Sequence, residues 1–421
     1  MFKKCSFCGK RETPLNPMLT SVLDEQDEIN ICKICVESAN EVITEKKQER
    51  RDGPKAKDEF DGDIDDIAAK LKKPREIHNE LNEHVIGQDR AKIVLTTAIH
   101  NHYKRLALKK SKNITVDKSN IMMIGPSGSG KTFISKKLAE IMDVPIVISD
   151  ATSLTQTGYI GSDVESMLTQ LYIESGKDIR KTERGIIFID EVDKIAKKPE
   201  KNGKDSTGEG VQQNLLKMIE GNKIQVPPDF VKNPHDQKMI EIDTSNILFI
   251  MSGVFDGLID IIKERQDDKV ISFDKDRHTK ITKENEDWLD ELTTEDLIEF
   301  GFLQEFLGRV PVQVTLDTLK KEDLVSVLLN TKNSLIEQYK SLFSVDNVDL
   351  SFDKLAVEGI AEEAISTNVG ARGLKKIMEK ILTPYMYNIG DTSDIKINKD
   401  NVIMSLSKKG KELPTLVEKG N

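Results

Sequence analysis

Four short apolar runs stand out in an otherwise polar chain: Ile121 to Ile124, Val144 to Ser149, Gly185 to Asp190 and Ile247 to Met251. Runs of this length, bounded by glycine or polar residues, read as strands buried on both faces. Between them the apolar spacing becomes helical. Ile134, Leu138 and Ile141 recur at i, i+4, i+7, and Val211 to Ile219 resumes the same rhythm. Strands alternating with helices in this way predict an α/β domain with a parallel sheet covered on both faces.

Flanking segments follow other patterns. After Pro74 comes a turn, Val85-Ile86-Gly87-Gln88, and then a long helical stretch. His100 and His102 stand two apart in it, too few residues to share a helix face, so surface or packing roles are expected rather than a metal. Loops are expected over 197–210, 223–237 with its three prolines, and 265–291. From Leu316 onward the pattern is mostly helical, with a short strand pairing near 348–352 and 395–404. In that part Leu374, Ile377, Met378, Ile381 and Leu382 line one helix face, with Arg372 at its entrance. The division expected is a module over 1–45, a charged linker over 46–73, a large domain over 74–315, a smaller one over 316–410 and a polar tail over 411–421.

Composition narrows the class. A chain of 421 residues exceeds one compact core. Charged residues make up 32% and hydrophobic ones 37%, which suits much solvated surface. A net charge of −10 argues against general affinity for a nucleic-acid backbone. No apolar run approaches the roughly 20 residues that span a bilayer, and MFKKCSFCGK lacks the apolar centre of a signal peptide. The expected compartment is the cytoplasm, with neither nucleic acid nor membrane as partner. The linker mixes both charge signs, which favours plain solvation over an acidic interaction tail.

All four cysteines fall at the start, as Cys5-x2-Cys8 and Cys32-x2-Cys35. In a reducing compartment such knuckles read as a closed tetrahedral zinc site, with a redox dithiol or a cluster as alternatives. The 23 residues between the knuckles slightly exceed the usual spacing.

The chemistry concentrates where the first strand ends. Gly125 to Thr132, GPSGSGKT, is a complete P-loop. Its glycines Gly125, Gly128 and Gly130 let backbone N–H groups approach phosphates, with Pro126, Ser127 and Ser129 between them. Lys131 adds a point charge for the β/γ-phosphates, the Thr132 hydroxyl suits Mg²⁺, and Phe133 follows in the helix. GIIFIDE then places two carboxylates at a strand tip: Asp190 to hold Mg²⁺ through its water shell and Glu191 to orient the attacking water. Together they predict an ATPase. Tyr159 and Ile160, between Gly158 and Gly161, are an apolar pair on a glycine-freed loop; a packed turn accounts for them equally well from the residues alone.

These motifs occur in one order: two cysteine knuckles, GPSGSGKT, GYIG, FIDEVDKI, EFLGRVP and GARGL. As a set they resemble the ClpX family, ring-forming AAA+ unfoldases that feed the ClpP peptidase, over nearly the whole chain. The resemblance implies an AAA+ P-loop NTPase large domain, a smaller mostly helical domain and a zinc module. It implies ATP, Mg²⁺ and Zn²⁺ as cofactors, and as partners a homohexamer, a ClpP-type peptidase, protein substrates and adaptors. Tyr159 and Ile160 correspond to the pore loop that grips polypeptide, Arg309 to the arginine finger, Arg372 to the sensor arginine, and Val85 and Ile86 to residues packed on adenine. The 197–210 loop corresponds to a second pore loop. Ile271-Ser272-Phe273 stands where the family's docking loop carries Ile-Gly-Phe, keeping both apolar anchors and losing the glycine. Val231-Lys232-Asn233 replaces a basic pore-entrance tripeptide, and Met251-Ser252-Gly253 replaces Cys-Gly-Gly. The rivals are a protease-independent chaperone with the same motor and, from another class, a nucleic-acid remodelling ATPase, which the acidic charge disfavours.

Overall fold

The computed structural model describes residues 4–11, 13, 17–24, 27–36, 71–111, 116–154, 164–197, 207–230, 239–271, 288–367, 369–389 and 393–406. It comprises two compact units, residues 1–70 and 71–421.

The first unit is built on an antiparallel hairpin, β1 (Met18–Asp24) and β2 (Asp27–Cys32), with Met18 opposite Cys32. Asn30 joins the hairpin to the first knuckle. Its side-chain oxygen accepts from Thr20 Oγ1 at 2.6 Å, its N–H donates to Ser6 Oγ at 3.0 Å, and its carbonyl accepts from the Ser6 N–H at 2.7 Å. Among the described side chains of this unit, only Cys5, Asn30 and Cys32 are buried.

The second unit contains two hydrophobic cores. The larger surrounds a parallel sheet of order β4-β5-β8-β3-β9: β3 (Ile121–Ile124), β4 (Ile146–Asp150), β5 (Ile186–Asp190), β8 (Leu248–Gly253) and β9 (Val312–Thr315). All four pairings are parallel. Every residue of β3 and β8 is buried, which is why these strands read as unbroken apolar runs rather than alternating ones. The order leaves β8 between β3 and β5, so the P-loop strand and the carboxylate strand flank it. The edge strand β9 was not apparent from spacing. VQVT is only four residues long and partly exposed on one edge of the sheet.

Four expectations need correction. Within the expected loop 223–237, β6 (Lys223–Val226) pairs antiparallel with β7 (Ile240–Asp243). Both strands are short, half-exposed and charged, so their alternation is hard to see. Thr207–Ile219 is one helix, beginning before the apolar spacing does. Leu258–Ile271 is also helical, carrying the polar stretch from Arg265; buried Leu258 and Ile262 anchor its start, and the Arg265 guanidinium pairs with Asp296 at 2.6 Å. Finally, Lys399–Leu406 is helical, so only β11 (Asp394–Ile397) pairs with β10 (Asp349–Phe352), in parallel.

The smaller core lies among the helices Lys321–Leu329, Leu335–Val345, Lys354–Ser366 and Ala371–Tyr387. Leu374, Ile377, Met378, Ile381 and Leu382 are all buried, as the helical spacing predicts. Ser334 caps its helix by accepting from the Glu337 N–H at 3.3 Å, and Asp353 accepts from the Ala356 N–H at 2.6 Å, satisfying donors a helix start leaves free.

The strap 83–88 reaches from one core to the other. Gln88 Nε2 donates to the Asp317 carbonyl at 2.8 Å, and Gln88 Oε1 accepts from the Asp317 N–H at 2.9 Å. The Lys332 N–H donates to the Glu83 carbonyl at 2.7 Å, and Lys332 Nζ pairs with the Glu83 carboxylate at 2.9 Å.

Candidate nucleotide site and metal centre

The P-loop turns out of β3 into the helix Lys131–Met142 in little space. A Cβ at Gly125 would lie 2.7 Å from the Leu316 carbonyl oxygen. Gly128 has φ +78, and a Cβ there would lie 2.5 Å from the Val369 carbonyl oxygen, so backbone from the smaller core rests directly on the loop. Only glycine meets both demands at that position. Gly130, at φ +99, caps the helix, leaving its first N–H groups directed at an incoming anion.

Lys131 Nζ folds back to donate to the carbonyls of Gly125, at 2.7 Å, and Pro126, at 2.9 Å. Burial depresses its pKa to about 8, against the raising influence of Asp190. A phosphate group would compete with these carbonyls for the ammonium and offer it a full negative charge.

Asp190, at the end of β5, collects the polar groups around it. Thr132 Oγ1 donates to Oδ2 at 3.0 Å, Ser252 Oγ donates to Oδ1 at 2.5 Å, and the Glu191 N–H donates to Oδ1 at 3.0 Å. Thr132 and Asp190 are thus adjacent oxygen donors, suited in kind to a hard cation such as Mg²⁺, which would supply charge neutralisation at the phosphates. Glu191 follows in the left-handed region, at φ 56, with its carboxylate exposed on the site. Asp193 lies buried behind, accepting from the Val254 N–H at 3.3 Å and paired with Lys194 at 3.2 Å, which raises the Lys194 pKa.

A cavity of ≈ 440 Å³ opens over these groups. Its floor is Ser127 to Phe133 with Asp190 and Glu191; its far wall includes Val85 and Ile86 from the strap and Leu319, Val327 and Leu335 from the smaller core. The polar end suits a triphosphate and the aliphatic end a flat base. Arg372, the second residue of its helix, lines the same cavity.

Sequence reasoning missed one group here. Leu319, Val327 and Leu335 look like ordinary helix-core residues, and no motif marks them. Ser252, which the resemblance marks only as a candidate sensor at the strand end Met251-Ser252-Gly253, lies on the strand that the topology places between β3 and β5.

Arg309 lies elsewhere. It follows the short helix Gln304–Gly308, with its side chain 54% exposed and Nε 3.4 Å from Glu220 Oε1. It does not line the cavity formed by its own chain.

In the first unit, Cys5 and Cys35 Sγ are 3.9 Å apart, Cys8 and Cys32 Sγ 3.6 Å apart, and all four sulfurs lie within 4.8 Å of one another. Sulfurs at the corners of a tetrahedron with Zn–S of about 2.3 Å would be separated by about 3.8 Å. The donor set fits zinc. The Cys32 N–H donates to Cys5 Sγ at 3.3 Å, a contact that favours thiolate, whereas a side-chain hydrogen bond with the crowded Cys8 thiol, together with burial, pushes Cys35 up to about 12. A divalent cation would relieve that crowding by taking all four as thiolates. These cysteines are the one potential metal-ligating cluster among the described residues. His100 and His102 instead contact the carbonyls of Lys72, at 2.9 Å, and Asn246, at 3.0 Å.

Three family descriptions match the chain: the ClpX C4-type zinc finger over residues 3–45, the AAA domain (Cdc48 subfamily) over 116–313, and the C-terminal, D2-small domain, of ClpB protein over 319–403. The chain is 41% identical over 410 residues to the ATP-dependent Clp protease ATP-binding subunit ClpX of Treponema denticola, covering 96% of this chain and 95% of that one. It belongs to the ClpX family. The protein of the same name from Borrelia duttonii is 41% identical over 406 residues, covering 95% of this chain and 90% of the relative.

The chain is a ClpX-family AAA+ ATPase, and the cavity lies at the carboxyl ends of the parallel strands, next to the strand-order reversal. Other family positions fall outside the described residues: Tyr159, Ile160, Val231, Lys232, Asn233, Ser272 and Phe273. Ile271 ends the helix Leu258–Ile271. Among the described residues, no helix is long and apolar enough to cross a membrane.

Proposed function

We propose that this chain is one subunit of a homohexameric, ATP-driven protein unfoldase and translocase that passes unfolded polypeptide to a ClpP-type peptidase. The observation that carries this reading is the division of the polar groups. Lys131, Thr132, Asp190, Glu191 and Arg372 converge on one cavity, whereas Arg309 stands half-exposed outside it. A ring of copies resolves that division, with each Arg309 serving the nucleotide of the adjacent subunit as an arginine finger.

Glu191 then orients the attacking water, Asp190 and Thr132 hold Mg²⁺, and Arg372 reports the phosphates to the smaller core. Because the cavity is lined from both cores, filling and emptying it alters the angle between them. The Tyr159-Ile160 loop would transmit that motion to polypeptide in a central channel, with the zinc module receiving substrates and adaptors. The name shared by the two relatives, ATP-dependent Clp protease ATP-binding subunit, supports a ClpP-type partner, docked through Ile271, Ser272 and Phe273. A second reading, a remodeller working without a peptidase, is favoured by one residue: Ser272 stands where the docking glycine is expected.

The test combines the full-length protein, ATP and ClpP, with sedimentation for assembly and loss of fluorescence from a tagged fluorescent protein for work. Hexamers that bind ClpP and degrade the substrate are expected. Hexamers that unfold it without ever binding ClpP would select the second reading. Rings that hydrolyse ATP and unfold nothing would overturn both.

A further inference from the structure

Asn120 immediately precedes β3 and is fully buried, at 0% exposure, where neighbouring strand positions are all aliphatic. A buried amide must be satisfied by partners or it costs stability. Here Nδ2 donates to the Arg309 carbonyl at 2.7 Å and the Ile219 carbonyl at 3.4 Å, while Oδ1 accepts from the Phe249 N–H at 3.3 Å. Two carbonyls on one side and an N–H on the other fix which end of the amide faces which. Its backbone carbonyl also accepts from the Val312 N–H at 3.4 Å, tying it to β9 just beyond Arg309.

The partners are not scattered. The Arg309 carbonyl belongs to the residue read above as the finger, and Ile219 precedes Glu220, whose carboxylate lies 3.4 Å from Arg309 Nε. One buried amide therefore holds the backbone beneath both members of that ion pair. It also sits at the base of β3, whose other end becomes the P-loop.

We propose that Asn120 is a positioning residue for Arg309: it fixes the backbone from which the guanidinium projects towards the adjacent subunit and ties that backbone to the strand carrying its own subunit's phosphate loop. This rests on Arg309 acting in trans. The exposed Glu220 pair is poorly suited to do the positioning alone, because half-exposed ion pairs are weak and mobile. Asn120 does not line the nucleotide cavity. Its loss should therefore lower turnover while leaving nucleotide affinity in place.

The experiment uses mixed full-length rings. Glu191→Gln subunits, unable to hydrolyse but able to lend a finger, are mixed with Arg309→Ala subunits, which have the reverse defect. Recovered ATPase activity establishes the trans reading; a dead mixture, with mixed rings shown to form, removes that reading and this inference with it. The mixture is then repeated with Asn120→Ala added to the Glu191→Gln subunit. Recovery about ten-fold or more lower is expected, since a misplacement near 1 Å can cost about 10²-fold in rate. Equal recovery in the two mixtures would overturn the role of Asn120 while leaving the finger intact.

A double-mutant cycle separates positioning from general loosening. Asn120→Ala should cost little further turnover once Arg309 is alanine, whereas damage to the sheet would lower the residual rate again. If Asn120→Ala does not fold, Asn120→Ser, whose hydroxyl cannot serve both carbonyls and the N–H, carries the same comparison. Affinity for a fluorescent nucleotide is expected to stay within about two-fold of wild type in either variant; a larger loss would place the residue in nucleotide binding and sink the proposal.

Discussion

The zinc module and the ATPase body reach order by opposite routes. In the module, the buried described side chains are two cysteines and an asparagine, and large apolar residues such as Phe7, Leu19 and Ile34 stand exposed. In the body, two clusters of aliphatic and aromatic side chains are packed with most members below 5% exposure. A buried Leu, Ile or Phe contributes about 1.5–3 kcal/mol from burial, so the body can tolerate losing one. Among its described residues the module has no such cluster. Structural zinc in a small domain supplies about 10–16 kcal/mol of apparent binding energy, enough to replace a core, and that energy depends on all four thiolates being present. Where folding energy is distributed, chemistry can be altered without loss of structure; where it resides in one ion, the two stand or fall together.

The sharpest way to break this contrast is to take the metal away. Cys5→Ser, or a strong chelator, should unfold residues 1–45 outright, read as loss of hairpin amide dispersion in NMR spectra, with one zinc per chain lost by metal analysis. The body's basal ATPase rate should stay within about two-fold, as expected for independently folding units. Collapse of the ATPase in parallel would show that the module is part of the body's fold.

Altering chemistry inside the body should do the reverse. Glu191→Gln replaces an exposed carboxylate by its near-isostere and leaves Asp190 and Thr132 in place. Steady-state turnover should fall about 10²–10⁴-fold, with nucleotide still bound and thermal unfolding unchanged. Turnover within a few-fold of wild type would assign the water to another group.

Lys131 offers a graded test. Burial lowers its pKa to about 8; phosphates would draw it back up, so binding above pH 8 must take up a proton. Below pH 8 the ammonium is already charged and affinity should be flat. As pH rises through 8 the affinity should fall, approaching about ten-fold per pH unit, and Lys131→Ala should bind weakly with that slope abolished. A flat titration with wild type to pH 9.5 would mean that the ammonium does not meet the phosphates.

The smallest effect is expected at the strap. The Lys332–Glu83 pair is 2.9 Å long, but its side chains are 65% and 53% exposed. Lys332→Ala should leave the midpoint of denaturant unfolding almost unchanged. A large drop in that midpoint would mean that stability in the body is less distributed than its cores suggest.

The sequence was most legible where function is local in the chain. GPSGSGKT and the carboxylates at the end of GIIFIDE are contiguous words, and so are the cysteine knuckles; the structure brings Lys131, Thr132, Asp190 and Glu191 to one cavity and the four sulfurs together. Legibility failed where a role depends on what the fold places nearby. Ser252 matters through a 2.5 Å hydrogen bond to a residue 62 positions away, and Asn120 through carbonyls at 219 and 309. Leu319, Val327 and Leu335 have the same pattern whether they face a core or a base. The hairpin of β6 and β7 escaped because short, half-exposed strands with charges at alternate positions resemble loops.

Gln88 grips Asp317 by both halves of its backbone, carbonyl and N–H, through one planar amide. In kinematic terms such a two-point grip is a pin: sliding along any direction stretches at least one bond, while twisting about the line between the two amides stretches neither appreciably. A turn of the smaller core about this pin would be resisted by its other ties, the Glu83–Lys332 bonds and the Val369 backbone against Gly128, and its amplitude would grow with distance from the pin. Residues close to Asp317 would barely move, and those at the far end of the helices would sweep the widest arc. Any such turn would be magnified by lever length alone.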